Sequence, residues 1–172
     1  MTVGAGEKMS MRFHRADVRI VEQPAIRVAV LEHRGDPDTL DDSIRRFIDW
    51  RRAHRLPPAV SATYNILYRV PEGGTAADFR LDLCAAVSAP VAANPHGVVE
   101  GVIPGGRCAV LRHVGSDDTL GDAIRFLHAE WLPDSGETRR DCPVWLQRLR
   151  FPPEVAKSEA ESDLFLPLCP VR

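Results

Sequence analysis

The stretch VRIVEQPAIRVAVLEHRGDPDTLDDSIR, residues 18–45, returns eighty residues later as VVEGVIPGGRCAVLRHVGSDDTLGDAIR, residues 98–125. Fourteen of the 28 positions are identical without a gap: Val18, Pro24, Arg27, Ala29, Val30, Leu31, His33, Gly35, Asp38, Thr39, Leu40, Asp42, Ile44 and Arg45 with their partners. Further on, Arg69, Pro71, Asp82 and Leu83 match Arg150, Pro152, Asp163 and Leu164 at an offset of 81. One extra residue after the second helix accounts for the change. Self-similarity at a fixed spacing marks a duplicated structural unit. The chain is therefore expected to be one domain made of two copies, residues 17–90 and 91–168. A flexible leader, residues 1–16, and a short tail, residues 169–172, flank them.

Each copy reads as β-β-α-β-β. Val18–Glu22 alternates imperfectly and stops before Pro24, and Arg27–Arg34 is rich in Val, Leu and Ala, as half-buried strands are. Gly35 ends the second strand. Thr39 with Asp42 three residues later predicts a capping box, in which hydroxyl and carboxylate satisfy the orphan amides of a helix start. Leu40, Ile44, Phe47 and Ile48 then form one apolar face, and the helix should end near His54, before Pro57-Pro58. Tyr64–Arg69 and Arg80–Val87 are two more strands. The second copy repeats the order with strands Val98–Ile103, Arg107–Val114, Val144–Phe151 and Ser162–Leu168. Its capping box is Thr119/Asp122, and its helix, lined by Leu120, Ile124, Leu127 and Trp131, stops at Pro133. One helix cannot cover a four-stranded sheet, so the halves should pair. The expectation is an α+β fold with pseudo-twofold symmetry. Both helices lie on one face of an antiparallel sheet, and the other face stays open between the halves as a ligand groove.

Composition narrows the function classes. The 172 residues carry 22 basic and 24 acidic side chains, a net charge of −2, which gives no broad attraction to phosphate backbones or anionic lipid. No apolar run approaches the roughly 18 residues a membrane span needs, and Met1–Ser10 lacks the apolar core of a secretory signal. A cytoplasmic protein is expected, with no membrane partner. Cys84, Cys108, Cys142 and Cys169 form no C-x-x-C pair and have no histidine at ligand spacing, so free thiols rather than metal ligands or disulfides are expected. No metal site, cofactor or catalytic residue is expected.

Several features have a structural explanation first. His33 and His113 match between the copies, just before the glycine that precedes each helix, and matched residues in a repeat usually do the same structural job. Arg45, Arg46, Arg51 and Arg52 read as a solvated helix face. Trp50, Phe126 and Trp131 read as core or its edge. Tyr64 and Tyr68 on the third strand, and Trp145 with Arg148 on its counterpart, suit a hydrophobic pocket with a few polar tips; strand alternation also allows them to be core. Glu32, matched by Arg112, is a further candidate at the groove.

In sequence order, LEHRGDPDTLDDSIRRF, YNILYRVPE, RLDLCAAV, IPGGRCAVLRHVG, EWLPDSG, DCPVWLQRLRFPPEV and DLFLPL together resemble the GyrI-like small-molecule-binding domain. The same domain serves as the effector-binding part of AraC-type and MerR-type multidrug regulators. The resemblance covers about residues 17–168. It implies two strand-helix-strand-strand modules with a groove between them for a lipophilic, often cationic, small molecule. Relatives include a DNA gyrase inhibitor and hydrolases of cyclopropane-bearing toxins. Many members carry a glutamate, then one residue, then a tyrosine on the strand after the proline of DCPVW. Here those positions are Leu146 and Arg148. Leucine can neither attract a cation nor act as a base, and arginine favours an anionic or carbonyl-bearing ligand.

The ligand-binding candidates are therefore Tyr64, Tyr68, Trp145, Leu146, Arg148 and Glu32. The expected function is a stand-alone effector-binding protein that senses or sequesters a lipophilic molecule, in transcription regulation or drug and toxin resistance. A gyrase-inhibitor-like interaction protein and a toxin hydrolase are the alternatives, with Glu32, Glu100 and Asp82 as the carboxylates nearest a groove. No direct nucleic-acid contact is expected, because the residues before Val18 are too few for a helix-turn-helix module. A protein partner, gyrase or a regulator, and a homodimer are left open.

Overall fold

The computed structural model describes residues 13–70 and 72–171; most of the expected leader, residues 1–12, lies outside them. The elements run β1 (Val18–Gln23), β2 (Ile26–Arg34), α1 (Leu40–Ala53), β3 (Thr63–Leu67), β4 (Arg80–Ala86), β5 (Val99–Ile103), β6 (Gly106–Val114), α2, β7 (Val144–Arg150) and β8 (Glu161–Pro167). α2 has three segments: α-helical Leu120–Arg125, π-helical Phe126–Trp131 and α-helical Leu132–Ser135. All strand pairs are antiparallel. They form one eight-stranded sheet in the order β1-β6-β8-β7-β3-β4-β2-β5.

That order reads the same from either end when the copies are exchanged. The centre is the β3–β7 pair, with Asn65 opposite Leu146. The first strand of each copy crosses over: β1 pairs with β6, and β5 with β2. Neither copy completes its own sheet.

The crossover dictates the shape. β1 and β2 stand first and seventh in the sheet, yet only Pro24 and Ala25 join them. Three Cα steps span at most about 11 Å, so the sheet must curl until its ends meet. Pro104 and Gly105 link β5 to β6 under the same constraint. The two turns touch: a Cβ on Gly105 would lie 2.6 Å from the Ala25 nitrogen and 2.8 Å from the Gln23 carbonyl oxygen. Arg140 Nη1 donates to the Gly105 carbonyl at 2.6 Å and ties the closure to the loop before β7.

Curling gives the sheet an inside and an outside. Both helices lie outside, as expected. α1 covers Ala29, Leu31, Leu83 and Ala85 through Phe47 and Trp50. α2 covers Ala109, Leu111, Leu146, Leu164 and Leu166 through Phe126, Leu127 and Trp131. The inside is not the open groove the pattern suggested. It is a third core of Val28, Val30, Tyr64, Ile103, Val110, Trp145 and Phe165. Trp145 stacks on Phe165 with ring centroids 3.8 Å apart, and Tyr64 meets Trp145 edge-on.

The helix entries differ from the expected capping boxes. Neither Thr39 nor Thr119 accepts a capping bond from its side chain. A short 3-10 turn precedes each helix, capped by Asp36 Oδ1 on the Asp38 amide and by Ser116 Oγ on the Asp118 amide. The matched histidines lock these entries. His33 sits between the Ser43 hydroxyl (2.7 Å) and the Asp36 carbonyl (3.1 Å). His113 bonds Thr119 Oγ1 at 2.8 Å. The hydroxyl donates in turn to the Ser116 carbonyl, so the imidazole N–H is the donor. Arg51 corrects the solvated-face expectation. It is buried and donates to the Leu56 and Ser61 carbonyls and to Thr63 Oγ1, fastening the loop behind α1. The four cysteines are free thiols, Cys84 and Cys108 buried.

Two outcomes follow. Gly105→Ala should destabilise by about 1–3 kcal/mol, the usual range for forcing volume into a packed site, because backbone on both sides cannot yield; urea unfolding measures it. Burial lowers the His113 pKa from its ordinary 6.5. The unfolded chain then binds more protons than the folded one just below that value. Stability should be full above pH 6.5 and decline as pH falls through the window below it, by at most about 1.4 kcal/mol per pH unit. His113→Gln should flatten part of that slope in unfolding curves between pH 7 and 5.

Candidate functional site

A cavity of about 620 Å³ opens on the helix side of the sheet, within the size range of small-molecule sites. Both copies wall it. Leu67, Tyr68 and Arg69 come from the end of β3, and the rest from α2 and the segment before β7. Its apolar surface is Leu67, Ile124 and Val144, continuous with the core under α2. Arg69, Arg125 and Arg139 stand around it, with Asp141 the one carboxylate on the lining.

The π-helical turn shapes this wall. Trp50 and Trp131 are both buried on their helices at an offset of 81, while Ile44 and Ile124 keep 80. The extra residue of the second copy thus falls inside α2, at the turn Phe126–Trp131, and not after the helix. Such insertions recur at functional sites. Here the turn presents His128 to the cavity. Its Nδ1–H donates to the Ile124 carbonyl at 3.0 Å, leaving Nε2 buried with no partner among the described residues. Burial lowers the His128 pKa; the hydrogen bond to the Ile124 carbonyl opposes this, and the charges of Arg139 and Arg69 add to it. Arg139 Nε is likewise buried and unpartnered.

Two smaller cavities lie elsewhere. One of about 250 Å³ is lined by Asp117, Arg148, Phe151 and Lys157. One of about 210 Å³ is lined by Ile66, Tyr68, Ile103, Arg140 and Trp145.

Of the six candidates, Tyr68 alone borders the large cavity. Its hydroxyl donates to Asp82 Oδ2 at 2.9 Å, and the Arg80 guanidinium lies 3.8 Å over its ring. Burial, then the Asp82 charge and hydrogen bond, push its pKa up to about 12. Tyr64 and Trp145 belong to the inner core, and Leu146 is wholly buried beneath α2. Arg148 holds Asp117 in a two-pronged pair at 2.5 and 2.9 Å and donates to Asn65 Oδ1 at 2.9 Å. Burial alone would raise the Asp117 pKa, but Arg148 outweighs it and holds the carboxyl below its ordinary value. Glu32 pairs with Arg34 and Arg80.

The repeat explains that last pair. Arg112 faces Asp163 directly across β6 and β8 and bonds it at 2.5 Å. At the matching place Glu32 faces Asp82, carboxylate against carboxylate, and Arg80 bridges them. Glu100 pairs with Arg27. None of the three carboxylates considered for hydrolysis lines the large cavity. His128, Arg139 and Asp141 were missed; the cue was the step in repeat offset, which marks where the second copy departs from the first.

Residues 16–168 match the family model of the GyrI-like small molecule binding domain. The probable transcriptional regulator YgiV of Escherichia coli K12 is 37% identical over 153 residues, covering 88% of this chain and 96% of that protein. The C-terminal domain of EcmrR superposes with a TM-score of 0.71 at 16% identity, covering 90% of this chain and 98% of that one. In the EcmrR–DNA complex the match has a TM-score of 0.70 and spans 57% of that chain. A family model that spans both copies, and a relative alike along nearly its whole length, make this chain a member of the GyrI-like small-molecule-binding domain family.

Proposed function

We propose that this chain is an effector-binding protein that senses or sequesters a lipophilic small molecule in the cavity between its two copies, in transcription regulation or resistance. The observation that carries the reading is the cavity itself: walls from both halves, an apolar surface and a few charged groups at its edge. The regulator described for YgiV supports the regulatory setting. Tyr68, Leu67, Ile124 and Val144 are the proposed contacts. No direct contact with nucleic acid is part of this reading.

Gly121 offers a clean test. It lines the cavity in the first turn of α2, and a Cβ there meets nothing within 4 Å. Gly121→Leu should fill the space without straining the fold, and replacing a helical glycine tends to stabilise by about 1 kcal/mol. In a thermal-shift screen against a lipophilic library, hits should raise the wild-type melting temperature and lose that effect in the variant. Mass spectrometry should recover each hit intact. Hits that shift both proteins equally, or that return with water added, would overturn the reading.

A further inference from the structure

We propose that the cavity between the copies selects a lipophilic anion, an aryl or alkyl carboxylate or sulfonate, over the corresponding cation. The inference rests on the ligand-binding reading above and names its ligand class.

The charge balance comes first. Arg69, Arg125 and Arg139 line the cavity against Asp141. Arg125 is bonded to Asp122 at 2.5 Å. Counting that carboxylate as well leaves three cations against two anions. Arg69 and Arg139 have no side-chain ion pair among the described residues, so their charge is not cancelled locally. Arg69 is exposed and screened by water, whereas half-buried Arg139 acts through a lower effective dielectric. Guanidinium is also weakly hydrated and matches a carboxylate in two-pronged geometry.

The second observation is independent of net charge. A cation site needs a buried carboxylate facing the apolar surface, and the carboxylate on the described lining, Asp141, is solvent-exposed. Asp82, which bonds the lining residue Tyr68, is also held by Arg80. Tyr68 brings no negative charge either, since its hydroxyl is already donated to Asp82. Arg139 meanwhile keeps an unpartnered buried Nε–H, and His128 an unpartnered Nε2. An acid group meeting Arg139 would satisfy the first. A neighbouring hydroxyl or amide N–H on the ligand would satisfy the second. Unpaired buried polar atoms are costly, so a ligand that pairs them binds more tightly than its apolar contact alone predicts.

Tetraphenylborate and tetraphenylphosphonium isolate charge from shape, being near-identical in size and opposite in sign. Titration calorimetry should give at least tenfold tighter binding of the borate to wild type. Raising salt should weaken the borate and not the phosphonium. Arg69→Glu with Arg125→Glu, both exposed positions, should abolish or reverse the preference, and Gly121→Leu should block the borate. Phosphonium binding equal to or tighter than the borate, still blocked by Gly121→Leu, would overturn the anion preference while leaving the cavity as the ligand site. A borate preference that survives both the arginine changes and Gly121→Leu would place the charge selection elsewhere and overturn it too. Binding of neither ion would also overturn it, and the library screen would then decide the broader reading on its own.

Discussion

Two links of two residues each, Pro24-Ala25 and Pro104-Gly105, govern this fold. Each connects strands that stand six places apart in the sheet, so a flat sheet is impossible. The curl they impose turns one sheet into two surfaces with different tasks. The inner surface buries the aromatic stack of Trp145 on Phe165 and leaves only the cavity of about 210 Å³ beside Trp145 and Ile103. The outer surface carries the helices and the cavity of about 620 Å³ between the halves. The strand exchange that creates the links also makes the halves interdependent, since β1 and β5 each complete the sheet of the other copy.

The two copies are alike but not equal, and their departures from equality are informative. His33 and His113 are both buried at helix entries, and Asp82 and Asp163 are both buried against arginine. These matched positions hold the fold. The large cavity mixes matched and unmatched positions: Arg69, Ile124 and Arg125 have identical counterparts, while the extra residue in α2, His128 where the first copy has apolar Phe47 or Ile48 nearby, and Arg139 with Asp141 do not.

This pattern sets what the sequence could disclose. Strand and helix positions were legible to within a residue or two, because alternation and helical spacing are local properties. The side on which both helices pack was legible too, from the need to cover a four-stranded sheet. The curl was not, because strand order is a long-range choice that alternation does not encode. Thr39 misled because its position suits a cap, yet one 3-10 turn upstream moved that task to Asp36. Arg51 misled because an arginine beside other arginines reads as solvated, while carbonyls of the following loop waited for its guanidinium. For the site, aromatic side chains drew attention to Tyr64 and Trp145, which the inner core uses. The cavity instead depends on arginines and a histidine whose isolated spacing carries no signal.

The packing of the fold is therefore separable from the cavity. The inner core is complete without the cavity, and the two outer cores close under their own helices. The cavity lies over the edge of one of them and borrows its apolar surface from Ile124, Val144 and Leu67 without interrupting the packing of Leu146, Leu164 or Leu166. Among its polar groups, Arg139 Nε and His128 Nε2 are left without a partner among the described residues. A fold can hold unpaired groups there because the remaining contacts do not depend on them. Leucine and arginine at positions 146 and 148 fit this division: one is packed in the core and the other is tied to Asp117, so both serve the scaffold here.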